Sequence, residues 1–355
     1  MADDIFRKLQ KQLDGYSLGF PKTDSGIEIE ILKELFTEED AGMFLNLSQR
    51  LERPEDVASR IERPADEVAA QLGHMYEKGL VFRLKKGDTV RYGAIPFVHG
   101  LFEFQVANLK PRMAVLVEKY MQEGFHNAIN TGAPAFLRTV PVQRTIKVLH
   151  NVAAYEDASE ILRKADKIVV TDCICRKQKR LVNQGCDKPL EACFMFGSMG
   201  QYYVDRDMGR EVGVDEAIRI LTEAQEAGLV TQPATAQNPA GMCNCCGDCC
   251  GVLTSLKRHP KPAEKVFSNY FAEVDKDVCS GCETCLERCQ MEAIKMDEDE
   301  LAEINQDRCI GCGLCVATCP EEAIQLSLKP EALRRTPPEN SLGQMAFMAK
   351  TRGIA

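Results

Sequence analysis

Tryptophan is absent, histidine occurs only five times, and aromatic residues make up 6% of the chain. No two histidines stand at metal-binding spacing, so a histidine-based metal centre has no support in the pattern. No G-x-G-x-x-G lies between a strand and a helix and no G-x4-G-K-[ST] occurs, which removes the usual dinucleotide and P-loop sites. No apolar run approaches the roughly 18 residues that would cross a membrane. The opening Met1-Ala2-Asp3-Asp4 lacks the basic-then-apolar character of a signal peptide, so a cytoplasmic location is expected. With 45% hydrophobic and 27% charged residues, the 355-residue chain fits a protein with real cores divided into two or three domains.

What the chain has is cysteine. The 17 cysteines are odd in number and crowded into C-x-C, C-C and C-x2-C runs. Without an export signal, that pattern favours metal ligation over disulfides. Exposed metal clusters are oxygen-labile as a rule, so an anaerobic or microaerobic host is expected.

The most regular stretch is Cys279 to Leu326, where one pattern is written twice. Cys279, Cys282, Cys285 and Cys289 recur as Cys309, Cys312, Cys315 and Cys319; Gly281 recurs as Gly311, and Glu292-Ala293-Ile294 as Glu322-Ala323-Ile324. Each run reads C-x2-C-x2-C-x3-C, a spacing used to hold iron-sulfur clusters. Zinc is the competing reading, but structural zinc prefers cysteine pairs separated by a longer spacer. Residues 275 to 326 resemble the bacterial-type ferredoxins that carry two [4Fe-4S] clusters. The resemblance implies one cluster on Cys279, Cys282, Cys285 and Cys319, and a second on Cys309, Cys312, Cys315 and Cys289. The family usually has proline after the fourth cysteine of each run; here Pro320 keeps it and Gln290 does not. That departure should alter local geometry or hydrogen bonding more than occupancy.

Nine further cysteines lie upstream: Cys173, Cys175, Cys186 and Cys193, then Cys243, Cys245, Cys246, Cys249 and Cys250. One helical spacer separates the two groups, so they are expected to meet in space. Cys243, Cys246 and Cys249 keep the C-x2-C-x2-C spacing, and a fourth ligand from the first group would complete a cubane. The count allows one or two further clusters, or a tetrahedral zinc site. Arg176, Lys177, Lys179 and Arg180 either face an anionic cluster or substrate or form a solvated helix face. Cys245-Cys246-Gly247 and Cys249-Cys250-Gly251 resemble the CCG tripeptides of heterodisulfide-reductase-type catalytic clusters, without that family's long spacers.

The fold expected is α+β and multidomain. Residues 1–25 read as a helix and linker, 26–100 as a winged-helix-like domain, 101–270 as an α/β cysteine-rich metal-cluster domain, 271–328 as the two-cluster module and 329–355 as a surface tail, mobile or packed on a partner. In the second segment, helices begin near Thr37, Pro54 and Pro64, and a hairpin turns at Lys86-Gly87-Asp88. The third helix offers Asp66, Glu67, Gln71, His74 and Glu77 where a DNA reader would offer basic and amide groups, so DNA is disfavoured despite Arg83, Lys85, Lys86 and Arg91 on the wing. In the third segment, Phe102 to Met121 reads as a helix, Asn127 to Pro134 as a loop and Phe136 to Val142 as extended; His126 and His150 read as structural.

Net charge is −9, and Cys279 to Leu326 alone carries eleven acidic side chains against three basic ones. An acidic head of this kind suits docking to a basic redox partner. The function expected is single-electron relay by an iron-sulfur protein or subunit without a nicotinamide or flavin of its own. Homo- or hetero-oligomeric assembly is open. Two rivals remain: a redox-sensing winged-helix transcription regulator, and an oxidoreductase whose catalytic site is built from the upstream cysteines.

Overall fold

The computed structural model describes residues 2–146 and 152–354, and His150 lies outside the described residues. Helix α1 (Ala2–Asp14) buries Phe6, Leu9 and Leu13. Four short helices follow, α2 (Ile27–Leu35), α3 (Glu38–Leu45), α4 (Pro54–Ile61) and α5 (Ala65–Glu77), and then an antiparallel hairpin of β1 (Phe82–Lys86) and β2 (Thr89–Gly93). Thr37 starts α3 through a reciprocal capping box with Asp40, satisfying two amides that the helix leaves unpaired. Pro54 takes the first helical position of α4, where no backbone N–H is lost, whereas Pro64 stands one position ahead of α5.

Residues 97–136 depart from the expected pattern. The helix anticipated from Phe102 to Met121 is broken into tight irregular turns over 97–105 and then α6 (Pro111–Tyr120). Pro111 cannot occupy a helix interior, because its ring would clash with the preceding turn, and it restarts the helix instead. The loop anticipated from Asn127 to Pro134 belongs to α7 (His126–Phe136). That segment packs against neighbouring helices, and tertiary contact overrides its weak helix-forming Asn, Thr and Gly residues. After α8 (Gln143–Ile146), helix α9 (Ala158–Lys164) is capped by Asp157, whose carboxylate accepts from the amides of Ser159 and Glu160.

The centre of the molecule is a five-stranded antiparallel sheet. In chain order come β3 (Ile168–Asp172), α10 (Ile174–Leu181), β4 (Glu191–Phe196), α11 (Gly197–Asp205), β5 (Arg210–Glu211), α12 (Val214–Glu226), β6 (Val230–Pro233) and β7 (Gly241–Cys245); the spatial order is β5-β3-β4-β7-β6. Alternate side chains point to opposite faces. Ile168, Val170, Phe194, Phe196 and Met242 form one face, sealed by Ile161 and Leu162 of α9 and Ala217 and Leu221 of α12. The opposite face carries Val169, Met195, Cys193, Cys243 and Cys245.

Helices α13 (Gly251–Lys257) and α14 (Pro262–Lys265) lead into the C-terminal module. There β8 (Tyr270–Val274) pairs with β11 (Ile324–Leu328), and β9 (Ile294–Met296) with β10 (Ala302–Ile304); α15 (Thr284–Arg288) and α16 (Leu314–Thr318) repeat at a thirty-residue offset. The tail is not a free arm: α17 (Ser341–Arg352) packs on its own chain. Met348 is buried, Gln344 donates to the Phe136 carbonyl at 2.7 Å, and Arg352 donates to the Ser17 carbonyl at 3.2 Å. One hydrophobic cluster accordingly runs from Phe6 to Met348. No helix among the described residues is long and apolar enough to cross a membrane.

Asp40 joins the capping box to an ion pair with Lys78, tying α3 to the end of α5. Burial opposes its charge, but Lys78 and Thr37 outweigh that and hold the carboxyl below its usual range. Replacing Asp40 by Ala should cost about 1–3 kcal/mol in urea unfolding at neutral pH. Because the folded pKa is depressed, the wild-type advantage is complete above the unfolded carboxyl range and fades as pH falls through the folded pKa. Unfolding curves of the two proteins that fail to converge in acid would refute this account.

Candidate metal centres

The duplicated module folds into two cradles. Cys279, Cys282, Cys285 and Cys319 line one cavity, and Cys289, Cys309, Cys312 and Cys315 line the other, so the fourth cysteine of each run crosses to its neighbour's cradle. The repeated glycines have a backbone reason. Gly281 and Gly311 hold φ of 68° and 67°, and a Cβ would stand 2.6 Å from the Glu300 carbonyl oxygen at the first and 2.2 Å from that of Tyr270 at the second. Backbone amides donate toward sulfur, from Ala293 to Cys289 at 3.2 Å and from Ala272 to Cys309 at 3.4 Å. Burial pushes the Cys312 thiol up to about 12 and raises Cys309 and Cys315 as well. A bound cation would supply the opposing charge that these buried sulfurs otherwise lack, so the donor set suits a metal cluster.

The cradles differ in exposure. Cys282 is exposed, and Glu283 and Glu321 also line its cavity. The second cradle faces the body of the protein: the Val142 amide donates to the Cys312 carbonyl at 3.0 Å, and Arg288 donates to the Gln225 and Glu226 carbonyls. Gln290, which replaces the usual proline, is buried, and its side-chain oxygen accepts from the Gly247 amide at 2.7 Å. Backbone approach there is so close that a Cβ on Gly247 would lie 2.4 Å from the Gln290 carbonyl oxygen.

The nine upstream cysteines meet, but in two groups that cut across the sequence. Six form a closed ring of neighbours, Cys173 to Cys175 to Cys250 to Cys245 to Cys243 to Cys193 and back to Cys173. They come from the adjacent ends of β3, β4 and β7 and from the starts of α10 and α13. Hydrogen bonds from their neighbours hold Cys173, Cys243 and Cys250 low, and the same bonds push Cys175, Cys193 and Cys245 up, so the six thiols act on one another around the ring. Cys186, Cys246 and Cys249 gather apart, with sulfurs all within 4.8 Å of one another.

This corrects the expectation that Cys243, Cys246 and Cys249 share a cubane. Cys243 lies within β7, whose pleat sends Cys243 and Cys245 to one face and Asn244 to the other. Cys246 follows the same alternation and falls in a small cluster with Cys249, Cys186 and Leu229. Asn244 is fully buried, accepting from Thr231 at 2.9 Å and donating to the Ala192 carbonyl at 2.8 Å.

The basic stretch on α10 is neither one solvated face nor one anion site. Arg176 is fully buried, donates to the Asn244 carbonyl at 3.0 Å, and leaves Nε and Nη2 without a hydrogen-bond partner. Burial works against its charge, yet Cys173, Cys193, Cys246 and Cys245 raise its pKa, so this cation serves sulfurs of both groups. Lys179 pairs with Glu118 at 2.7 Å, Lys177 with Asp172 at 3.6 Å, and Arg180 donates to the carbonyls of Cys186 and Lys188.

The six-thiol ring borders an apolar cavity of ≈ 50 Å³, whose wall also includes His99, Glu103 and Tyr203. The Nε2 of His99 stands 3.8 Å from the Cys243 sulfur; burial opposes its charge, but the Cys243 thiolate holds the imidazole at about 9. Glu103, raised to about 6 by burial, accepts from the Gly100 amide at 3.0 Å. No spacing in the sequence marks these three residues, because the irregular turn at 97–105 and α11 deliver them. His126, by contrast, hydrogen-bonds Ser255 and Arg258 away from the cysteines, as a structural histidine would.

Comparison with known proteins bears on the C-terminal region. No curated protein and no solved structure matches the chain. Residues 272–326 match the family model of the 4Fe-4S dicluster domain. The match encloses all eight cysteines of the two cradles, and this part of the chain is ferredoxin-like.

Proposed function

We propose that the protein relays single electrons from a docked redox partner protein, through the two ferredoxin-type [4Fe-4S] sites, to a third iron-sulfur centre held by the six-thiol ring. In this reading Cys279, Cys282, Cys285 and Cys319 hold the outer cluster, and Cys289, Cys309, Cys312 and Cys315 the inner one. Such clusters supply one-electron exchange with potentials tuned by burial and by hydrogen bonds to sulfur. The observation that carries the reading is the asymmetry of the cradles: one opens at Cys282, and the other is pressed onto the loop around Gly247 that joins the two upstream cysteine groups. The chain's own residues set where a partner docks and how the inner cradle is held. Acidic Glu283 and Glu321 at the open cradle favour a basic redox partner, and Gln290, Arg288 and Val142 fix the inner cradle against the body.

The order of α3, α4, α5 and the hairpin supports a winged-helix reading of residues 26–100, serving a partner or second subunit rather than DNA. Asp66, Glu67, His74 and Glu77 are exposed on α5. Arg83 of the wing lies over the Tyr76 ring at 3.6 Å and pairs with Asp205 at 3.5 Å, which takes it away from phosphate. The oxidoreductase reading gains one specific support, the apolar cavity that sets His99, Glu103 and Tyr203 across from the thiol ring. In that case the same relay would feed a reaction inside the protein.

Anaerobically purified protein should carry clearly more than the roughly eight irons of a dicluster module, with matching acid-labile sulfide. Iron near eight would sink the third centre, and iron well below eight after reconstitution would sink the relay as a whole. Cys193→Ser and Cys245→Ser should each remove the iron in excess of eight while the EPR signals of the reduced dicluster persist. Gly311→Ala should destabilise the module by about 3 kcal/mol or more and deplete iron first from the inner cradle, since its left-handed backbone and the Tyr270 carbonyl leave no room for a methyl group. Wild-type iron content in that variant would contradict the assignment of Gly311 to the cradle wall.

A further inference from the structure

Cys186, Cys246 and Cys249 are set apart from the other cysteines by compactness. The Cys186 sulfur lies 3.7 Å from that of Cys246 and 3.6 Å from that of Cys249. A zinc ion bound at about 2.3 Å in tetrahedral geometry places its sulfurs about 3.8 Å apart, so these separations are edges of a single-ion tetrahedron. In a cubane each thiolate binds a different iron, and the sulfurs stand farther apart. Among the described residues this is the only trio gathered within 4.8 Å; neither ferredoxin cradle nor the six-thiol ring forms such a group.

We propose that Cys186, Cys246 and Cys249 hold one zinc-type divalent ion, separate from the iron-sulfur relay, with a fourth ligand that is oxygen or nitrogen. No fourth cysteine sulfur among the described residues joins this group, so the remaining position falls to oxygen or nitrogen. Three thiolates and one non-sulfur position match a site that can accept a small exogenous ligand rather than a closed four-cysteine clamp. The site is also built to hold its shape. Arg180 donates to the carbonyls of Cys186 and Lys188 at 2.9 to 3.2 Å, fixing the loop that carries the first thiol. Lys188 pairs with Asp248 at 3.5 Å, joining that loop to the turn that carries the other two. This inference stands independently of the relay, since it concerns a different metal and different sulfurs.

The test is metal content and zinc-edge X-ray absorption of the full-length, anaerobically purified protein. Wild type should carry about one zinc per chain, with three sulfur scatterers at about 2.3 Å and one lighter oxygen or nitrogen. Cys249→Ser and Cys186→Ser should each lose that zinc while iron, sulfide and the dicluster EPR signals stay at wild-type levels. Absence of zinc from wild type, four sulfur scatterers, or loss of about four irons in either variant would overturn the proposal. The wild-type spectrum decides the matter even where a variant fails to fold, and failure of the iron count alone would touch only the relay.

Discussion

The pleat of β7 is the constraint on which the rest of the cysteine chemistry depends. A strand has a side-chain period of two, so a run written Cys243-Asn244-Cys245-Cys246 cannot present all its sulfurs to one site. Two go to the face shared with Cys193, and the next goes to the side of α12 with Cys186 and Cys249. Burying Asn244 with the Thr231 hydroxyl donating to its side-chain oxygen fixes the register, because a slip by one residue would put an amide among the thiols and strand Cys245 on the opposite face. Arg176 depends on the same register: its one partnered nitrogen is anchored to the Asn244 carbonyl, and sulfurs of the two groups favour its buried charge. A buried cation with two unpartnered nitrogens would be costly in an apolar core. Here the sulfurs of Cys173, Cys193, Cys246 and Cys245 work against that cost by favouring the charged guanidinium.

How much of this was readable beforehand follows from which signals were local. The duplicated run from Cys279 was legible to the residue, because ligand spacing, repeated glycine and repeated Glu-Ala-Ile are all statements about neighbouring positions. The left-handed backbone at Glu292 and Glu322, φ 52° and 53°, shows the repeat persisting in conformation as well as sequence. The helices begun by Thr37 and Pro54 and the hairpin turning at Lys86-Gly87-Asp88 are legible for the same reason: caps, proline and turn residues are local. The grouping of the nine upstream cysteines was not. The spacing C-x2-C-x2-C from Cys243 is identical to the ferredoxin spacing, and only the strand assignment of β7 separates a turn that gathers sulfurs from a pleat that divides them.

Tertiary context overrides local signals elsewhere in the chain. α7 contains Asn, Gly and Pro residues that locally argue for a loop, and it is helical because neighbouring helices press on it. The C-terminal segment reads locally as an arm because of its prolines and charges, yet Asn340 caps a helix whose Met348 reaches the common core. His99, Glu103 and Tyr203 carry no motif at all. His99 and Glu103 reach the ring because residues 97–105 refuse a regular helix, with His99 itself at φ 52°, and a strained turn of that kind leaves no period to detect; Tyr203 arrives on α11.

The two halves of the duplicated module have diverged where their surroundings differ. Pro320 is exposed beside the outer cradle, whereas Gln290, its counterpart at the inner cradle, is buried and accepts a hydrogen bond from the Gly247 amide. A proline there would leave that amide without its buried acceptor, a loss of about 1–3 kcal/mol. An isolated module would have no use for the exchange, since a glutamine offered to solvent gains nothing over a rigid turn. The substitution makes sense only when the inner run faces a fixed neighbour, and the neighbour it faces is the residue next to Cys246. Gln290 therefore couples the turn after the inner cradle's crossing cysteine to the loop of the upstream cysteines, so that the geometry of one constrains the geometry of the other.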